Sequence, residues 1–144
     1  MNNIRNYNKV YETIIPELHL TYKSGDAKQY TLNEVKKAES FFKEIFDVEN
    51  SKGKTILSCV FLNNSLKTIG WIKTEVSDEK LLFLDCKMIL KQALKCNSNS
   101  IILGLLIDEN SNKNINRYNM FFNDLETYGK ILEVKALDNI LIHN

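Results

Sequence analysis

The chain has 144 residues, 44% hydrophobic and 26% charged, ordinary proportions for a soluble globular chain. That length fits one domain with room for a sizeable core. A net charge of +1 excludes both the basic footprint of a nucleic-acid surface and the strong acidity of a DNA mimic.

Residues 1–10 are polar and read as a lead-in. After Pro16, Leu18, Leu20 and Tyr22 alternate with His19, Thr21 and Lys23, which predicts a half-buried strand over 17–23. Ser24-Gly-Asp26 is a turn signal. Thr31-Leu-Asn-Glu34 has the capping-box pattern. Behind it Leu32, Val35, Ala38, Phe42, Ile45 and Phe46 recur at helical spacing, with Phe41 widening the face, and predict an amphipathic helix over 32–47. A polar connection over 49–54 follows. Residues 55–62 and 66–76 read as two strands around Asn63-Asn-Ser65, a turn whose residues tolerate positive φ. The second strand holds the chain's one tryptophan, Trp71.

Residues 77–80 read as a loop and 81–84 as a short extension. Asp85 is a candidate N-cap for a helix over 86–96, with Met88, Ile89, Ala93 and Leu94 on its core side and Asn97 as a left-handed stop. Residues 101–107 are apolar on both faces, the pattern of a central buried strand. A polar, asparagine-rich loop follows, opening with Asp108 and Glu109. A third helix is predicted over 117–128, ending at Gly129, with Met120, Phe121, Leu125 and Tyr128 as its buried stripe. Residues 133–137 and 140–142 complete the chain as strands. The order of elements predicts an α/β (α+β) sandwich around a mixed sheet.

No apolar run approaches the ~18 residues that cross a bilayer. Cys59, Cys86 and Cys96 form no Cys-x-x-Cys pair, and no signal peptide precedes them, so a reducing cytoplasm is expected. His19 and His143 lie near opposite ends of the chain. A Cys–His nucleophile pair would need the fold to bring one of them to a cysteine. Asp108 and Glu109 could serve as an acid pair for Mg²⁺ or simply as a solvated loop. No Gly-x-Gly-x-x-Gly, P-loop or His-Glu-x-x-His is present.

Gln92-Ala-Leu-Lys-Cys-Asn-Ser-Asn-Ser-Ile-Ile-Leu103 resembles the RadC-like branch of the JAB/MPN metalloprotease fold. There, a similar helix end and strand run into His-Asn-His-Pro-Ser-Gly-Asp. A second match begins at Gly129-Lys-Ile-Leu and closes in Leu137-Asp-Asn-Ile140, where the family has Leu-Asp-His and an apolar run. Residues 56–72 resemble the family's first hairpin, and Glu17-Leu-His-Leu-Thr-Tyr-Lys23 a strand that often precedes the domain. The resemblance implies a single domain over 1–144, with 1–30 as an N-terminal strand extension and 31–144 as a JAB-like core. That core is a mixed β-sheet sandwiched by about three helices.

The metal motif departs from the family. Active members bind zinc through two histidines and an aspartate, assisted by a glutamate from the hairpin. Without a gap, the histidine positions fall on Leu105 and Ile107, the aspartate on Tyr118 and a nearby serine on Ile115. The glutamate falls near Ile72, with Glu75 the closest acid. Zinc takes nitrogen, thiolate or carboxylate ligands, and Leu and Ile offer none. The resemblance therefore implies a metal-free pseudo-enzyme without a cofactor.

Two classes of function follow. In the first, an inactive domain is a protein-interaction module, an accessory or inhibitor of a nucleic-acid-processing or host-defence complex. A mobile-element-encoded CRISPR nuclease inhibitor is one such role, since RadC-like proteins are associated with DNA repair and mobile elements. In the second, an altered metal-dependent hydrolase uses other ligands. The expected partner is a protein, alone or in a nucleoprotein complex. No strong direct nucleic-acid binding and no membrane are expected, and the chain itself is a monomer or homodimer. Asp108, Glu109, Arg117 and Tyr118 at the strand-to-helix junction are the expected binding face, unless that loop is merely solvated. Trp71 is a second anchor or a packed sheet aromatic.

Overall fold

A computed structural model describes residues 28–76, 85–108 and 115–144. The expected strand over 17–23, the loop over 77–80 and the extension over 81–84 lie outside them.

Among the described residues seven principal elements run α1 (Val35–Phe46), β1 (Ile56–Leu62), β2 (Thr68–Glu75), α2 (Cys86–Lys95), β3 (Ser100–Ile107), α3 (Ile115–Ile131) and β4 (Lys135–His143). The strands form one mixed sheet in the order β2-β1-β3-β4. β1 is antiparallel to both β2 and β3, and β3 is parallel to β4 with α3 as the connection. Among the described residues this is an α+β fold with a four-stranded mixed sheet and three α-helices.

β3 is buried at every residue because helices cover both of its faces. Ile101, Leu103, Leu105 and Ile107 join the cluster under α2 and α3. Ile102 and Leu106 join the cluster under α1. This is the division that period-two alternation of a two-sided strand requires.

The capping box is not used. Tyr30 to Leu32 pair with the start of β2: Leu32 N–H donates to Leu66 O at 2.8 Å and Thr68 N–H to Tyr30 O at 2.9 Å. Committed to extended backbone, Thr31 cannot cap, and α1 starts three residues later with Glu34 as an N-cap lacking a side-chain bond. Val35, now in the first turn, is exposed, while Phe41 is buried beside Phe42 and Phe46. In the hairpin, Asn63 Oδ1 accepts from the Ser65 and Lys67 amides. The left-handed residue there is Leu66, not an asparagine.

Asp85 caps α2 as expected, accepting from Lys87 N–H at 2.9 Å, and Asn97 takes the left-handed stop with φ 54°. The core side of α2 is Cys86, Ile89, Leu90 and Ala93, one helical stripe. Met88 and Leu94 fall off that stripe and are exposed, contrary to the sequence reading. α3 is longer than expected and runs through Gly129. It buries Tyr118, Phe121, Leu125 and Gly129, leaving Met120 and Tyr128 outside. Gly129 is there because a β-carbon would strike the carbonyl of Val134. The two expected C-terminal strands are one, β4. Its register against β3 slips at Leu137, so the break in apolar pattern marks a bulge rather than a loop.

Candidate functional site

The fold gathers the positions that the metal motif would occupy. Leu105 and Ile107 sit two residues apart near the end of β3, so both face α2 and α3. Ile72 on β2 pairs with Cys59, which pairs with Leu103, keeping Ile72 on that same face. The first turn of α3 brings Ile115 and Tyr118 to it. All five lie in or against one apolar cluster.

Glu75 does not join them. It pairs with Ile56, which pairs with Leu106, a residue of the opposite face. Glu75 therefore belongs to the α1 side of the sheet and cannot stand in for a carboxylate beside Leu105.

Tyr118 is only 1% exposed. Its hydroxyl is buried and, among the described residues, meets no hydrogen-bond partner. Burial, then the neighbouring Cys59 and Asp138, hold the phenol pKa far above its ordinary value. A phenol kept protonated, two isoleucines, a leucine and another isoleucine give zinc no donor set, so these residues do not fit the ion. Among the described residues, no group of three or more His, Cys, Asp and Glu could hold a metal.

A family model for the RadC-like JAB domain matches residues 28–144. The chain belongs to the RadC-like JAB domain family. No curated protein matches the sequence. Among the described residues of this RadC-like domain, no helix is long and apolar enough to cross a membrane.

Of the binding face expected at the junction, the structure turns Tyr118 inward. Tyr118 is a core residue, not a surface anchor: the pitch of α3 aligns it with Phe121 and Leu125 and turns it into the cluster. Arg117, one position earlier, is exposed, and Asp108 is half-buried. Glu109 lies outside the described residues. Trp71 is 45% exposed on β2, with Lys73 Nζ 5.8 Å from its ring centroid. Lys73 also donates to Ile45 O at the end of α1, at 2.8 Å. Trp71 is level with Val60 and Ile102, so it stands about 20 Å along the strands from Asp108. The RadC-like domain therefore carries Trp71 and Arg117 as separate surface features.

A Cys–His pair does not form among the described residues. His143 lies opposite Ile107, whereas Cys59 is level with Leu103 and Asn139, about 13 Å away along the sheet. All three thiols are free. Burial pushes Cys59 and Cys96 up, and burial with Asp124 and Asp85 nearby pushes Cys86 up to about 11. None is poised as a thiolate nucleophile.

Sequence reasoning missed an apolar groove between α2 and α3, walled by Leu94, Tyr128 and Ile131. The sequence pattern places Leu94 and Tyr128 in the core. For Leu94 the signal was available, since it flanks the 3.6-residue stripe that buries α2, whereas Tyr128, seven residues after Phe121, is in phase with the buried stripe of α3 and gave none.

Proposed function

We propose that this RadC-like domain is a metal-free pseudo-enzyme that works as a protein-interaction module. The observation supporting this reading is the packing of Ile72, Leu105, Ile107, Ile115 and Tyr118 into one apolar cluster. A zinc site needs polar donors around an open coordination position. Here those positions carry hydrocarbon and a protonated phenol instead. Partner binding then falls to the surface, where Arg117, Asp108 and Trp71 remain as candidates. An accessory or inhibitory role in a cytoplasmic complex that processes nucleic acid or defends a host agrees with a near-neutral chain that needs a protein contact. A mobile-element-encoded inhibitor of a CRISPR nuclease is one such role.

The test is elemental analysis after purification without chelator, joined to peptidase assays and a pull-down from the native cell. Absence of stoichiometric zinc, absence of cleavage and recovery of a specific protein are expected. One tightly held equivalent of zinc with peptide cleavage would return the altered-hydrolase reading.

A further inference from the structure

The groove between α2 and α3 has a floor of buried Leu90 and walls of exposed Leu94, Tyr128 and Ile131, enclosing about 530 Å³. Ile131 is 75% exposed, the most of any large hydrophobic residue in the described chain. Large apolar side chains gathered along one groove mark an interaction site rather than scattered surface residues. We propose that this groove docks an amphipathic helix of a partner protein, with carboxylates flanking the helix's apolar stripe.

The inference rests on the reading of the domain as a protein-binding module and names the partner's chemistry. Length selects a helix. α2 has 10 residues, about 15 Å at the helical rise, which matches some three turns of a docked helix.

Charge selects the flank. Lys87 and Lys91 stand one turn apart on the α2 rim, both exposed. Across the groove, Tyr128 and Ile131 carry no charge, and the one α3 acid near it, Asp124, stands a turn before Tyr128 beside Cys86. The nearby acids, Asp85 and Asp124, gather at the Cys86 end, and Asp85 is engaged in capping Lys87 N–H. A helix seated here meets two cations along one side and apolar surface on the other. Carboxylates one turn apart, on the side facing Lys87 and Lys91, complete the match.

The test uses two fluorescein-labelled synthetic helices sharing one leucine stripe. One is flanked by glutamates and the other by lysines, and each is titrated by anisotropy against the full chain. The glutamate helix is expected to bind about tenfold tighter or more. Lys87→Glu with Lys91→Glu should reverse that order. Ile131→Asp should weaken both helices about tenfold with an unchanged melting temperature, because the side chain is outside the core. Equal affinity for the two helices, or no effect of Ile131→Asp, overturns the proposal. So does a concentration-dependent dimer that Ile131→Asp abolishes, which would make a second copy the occupant. If the native partner still binds Ile131→Asp, the groove is wrong and the module reading stands. If the protein holds zinc and cleaves peptides, the module reading fails on its own.

Discussion

Gly104 and Phe42 are packed so closely that no β-carbon fits between them. One built on Gly104 would lie 2.5 Å from Cδ1 of Phe42, whose ring is fully buried. Gly104 thus lets α1 settle onto the middle of the most buried strand. Gly104→Ala is expected to cost about 1–3 kcal/mol by overpacking, read as a lower denaturation midpoint with an unchanged slope. Phe42→Leu should cost stability alone, yet the double variant should fall short of the sum. Strict additivity would mean that the two residues are not in contact.

Leu105 tests whether β3 is central. It is 1% exposed in the cluster under α2 and α3. Leu105→Asp would bury an unpaired charge and cost several kcal/mol, on the order of the whole margin of many domains. Loss of the cooperative melt is expected. A variant that melted like the parent would remove β3 from the core.

Alkaline stability should be limited by groups held neutral in the fold. The phenol of Tyr118 and the thiols of Cys59, Cys86 and Cys96 all have raised pKa values, chiefly through burial. When the folded state holds a proton that the unfolded state releases, stability falls as pH rises. The contribution is therefore complete below the unfolded thiol pKa of about 8.5 and shrinks above it, with tyrosine adding its share from about 10. Denaturation midpoints should be flat through neutrality and decline above that window. Tyr118→Phe removes a buried hydroxyl without a partner, so neutral-pH stability should hold or rise, and the decline above about pH 10 should soften. A steeper alkaline loss in that variant would contradict the assignment.

Much of the fold was legible because its signals are local or strictly periodic. The two-sided apolar run of β3, the Asp85 cap and the Asn97 stop all came through as read. What failed depended on distant partners. Thr31 looked like a cap, but the pairing of Tyr30 to Leu32 with Leu66 to Thr68 took its backbone first. Gly129 looked like a helix end, but its missing side chain accommodates the returning Val134 carbonyl. Met88, Leu94, Met120 and Tyr128 were counted as core for being apolar. For Met88, Leu94 and Met120 helical phase outranked side-chain type, because each step of about 100° turns a position away from the buried stripe, whereas Tyr128 is in phase with Phe121 and phase does not account for its exposure. The candidate site was legible in register, since the motif positions converge, but Tyr118 was misread as surface because it neighbours polar residues in sequence.

Arg117 and Tyr118 are adjacent in sequence but opposite in consequence. Arg117→Glu changes an exposed side chain and should leave melting nearly unchanged, since surface substitutions usually move stability by about 0.5 kcal/mol or less. Tyr118→Ala empties a site that is 1% exposed and should cost about 3–5 kcal/mol, the range for large aromatics cut to alanine in cores. Joining the two in one variant would confound binding with unfolding. Arg117→Glu must therefore be measured alone against the partner recovered from the native cell. If the start of α3 is part of the interface, affinity should fall about tenfold, or about 1.4 kcal/mol. Trp71→Ala is the matched control, because it is exposed and stands about 20 Å along the strands from Asp108 at the end of β3. Loss with Arg117→Glu only places the contact at the end of β3, and loss with Trp71→Ala only places it on the hairpin. If neither variant weakens binding while both remain folded, both sites lose their role and the α2–α3 groove becomes the surface to probe next.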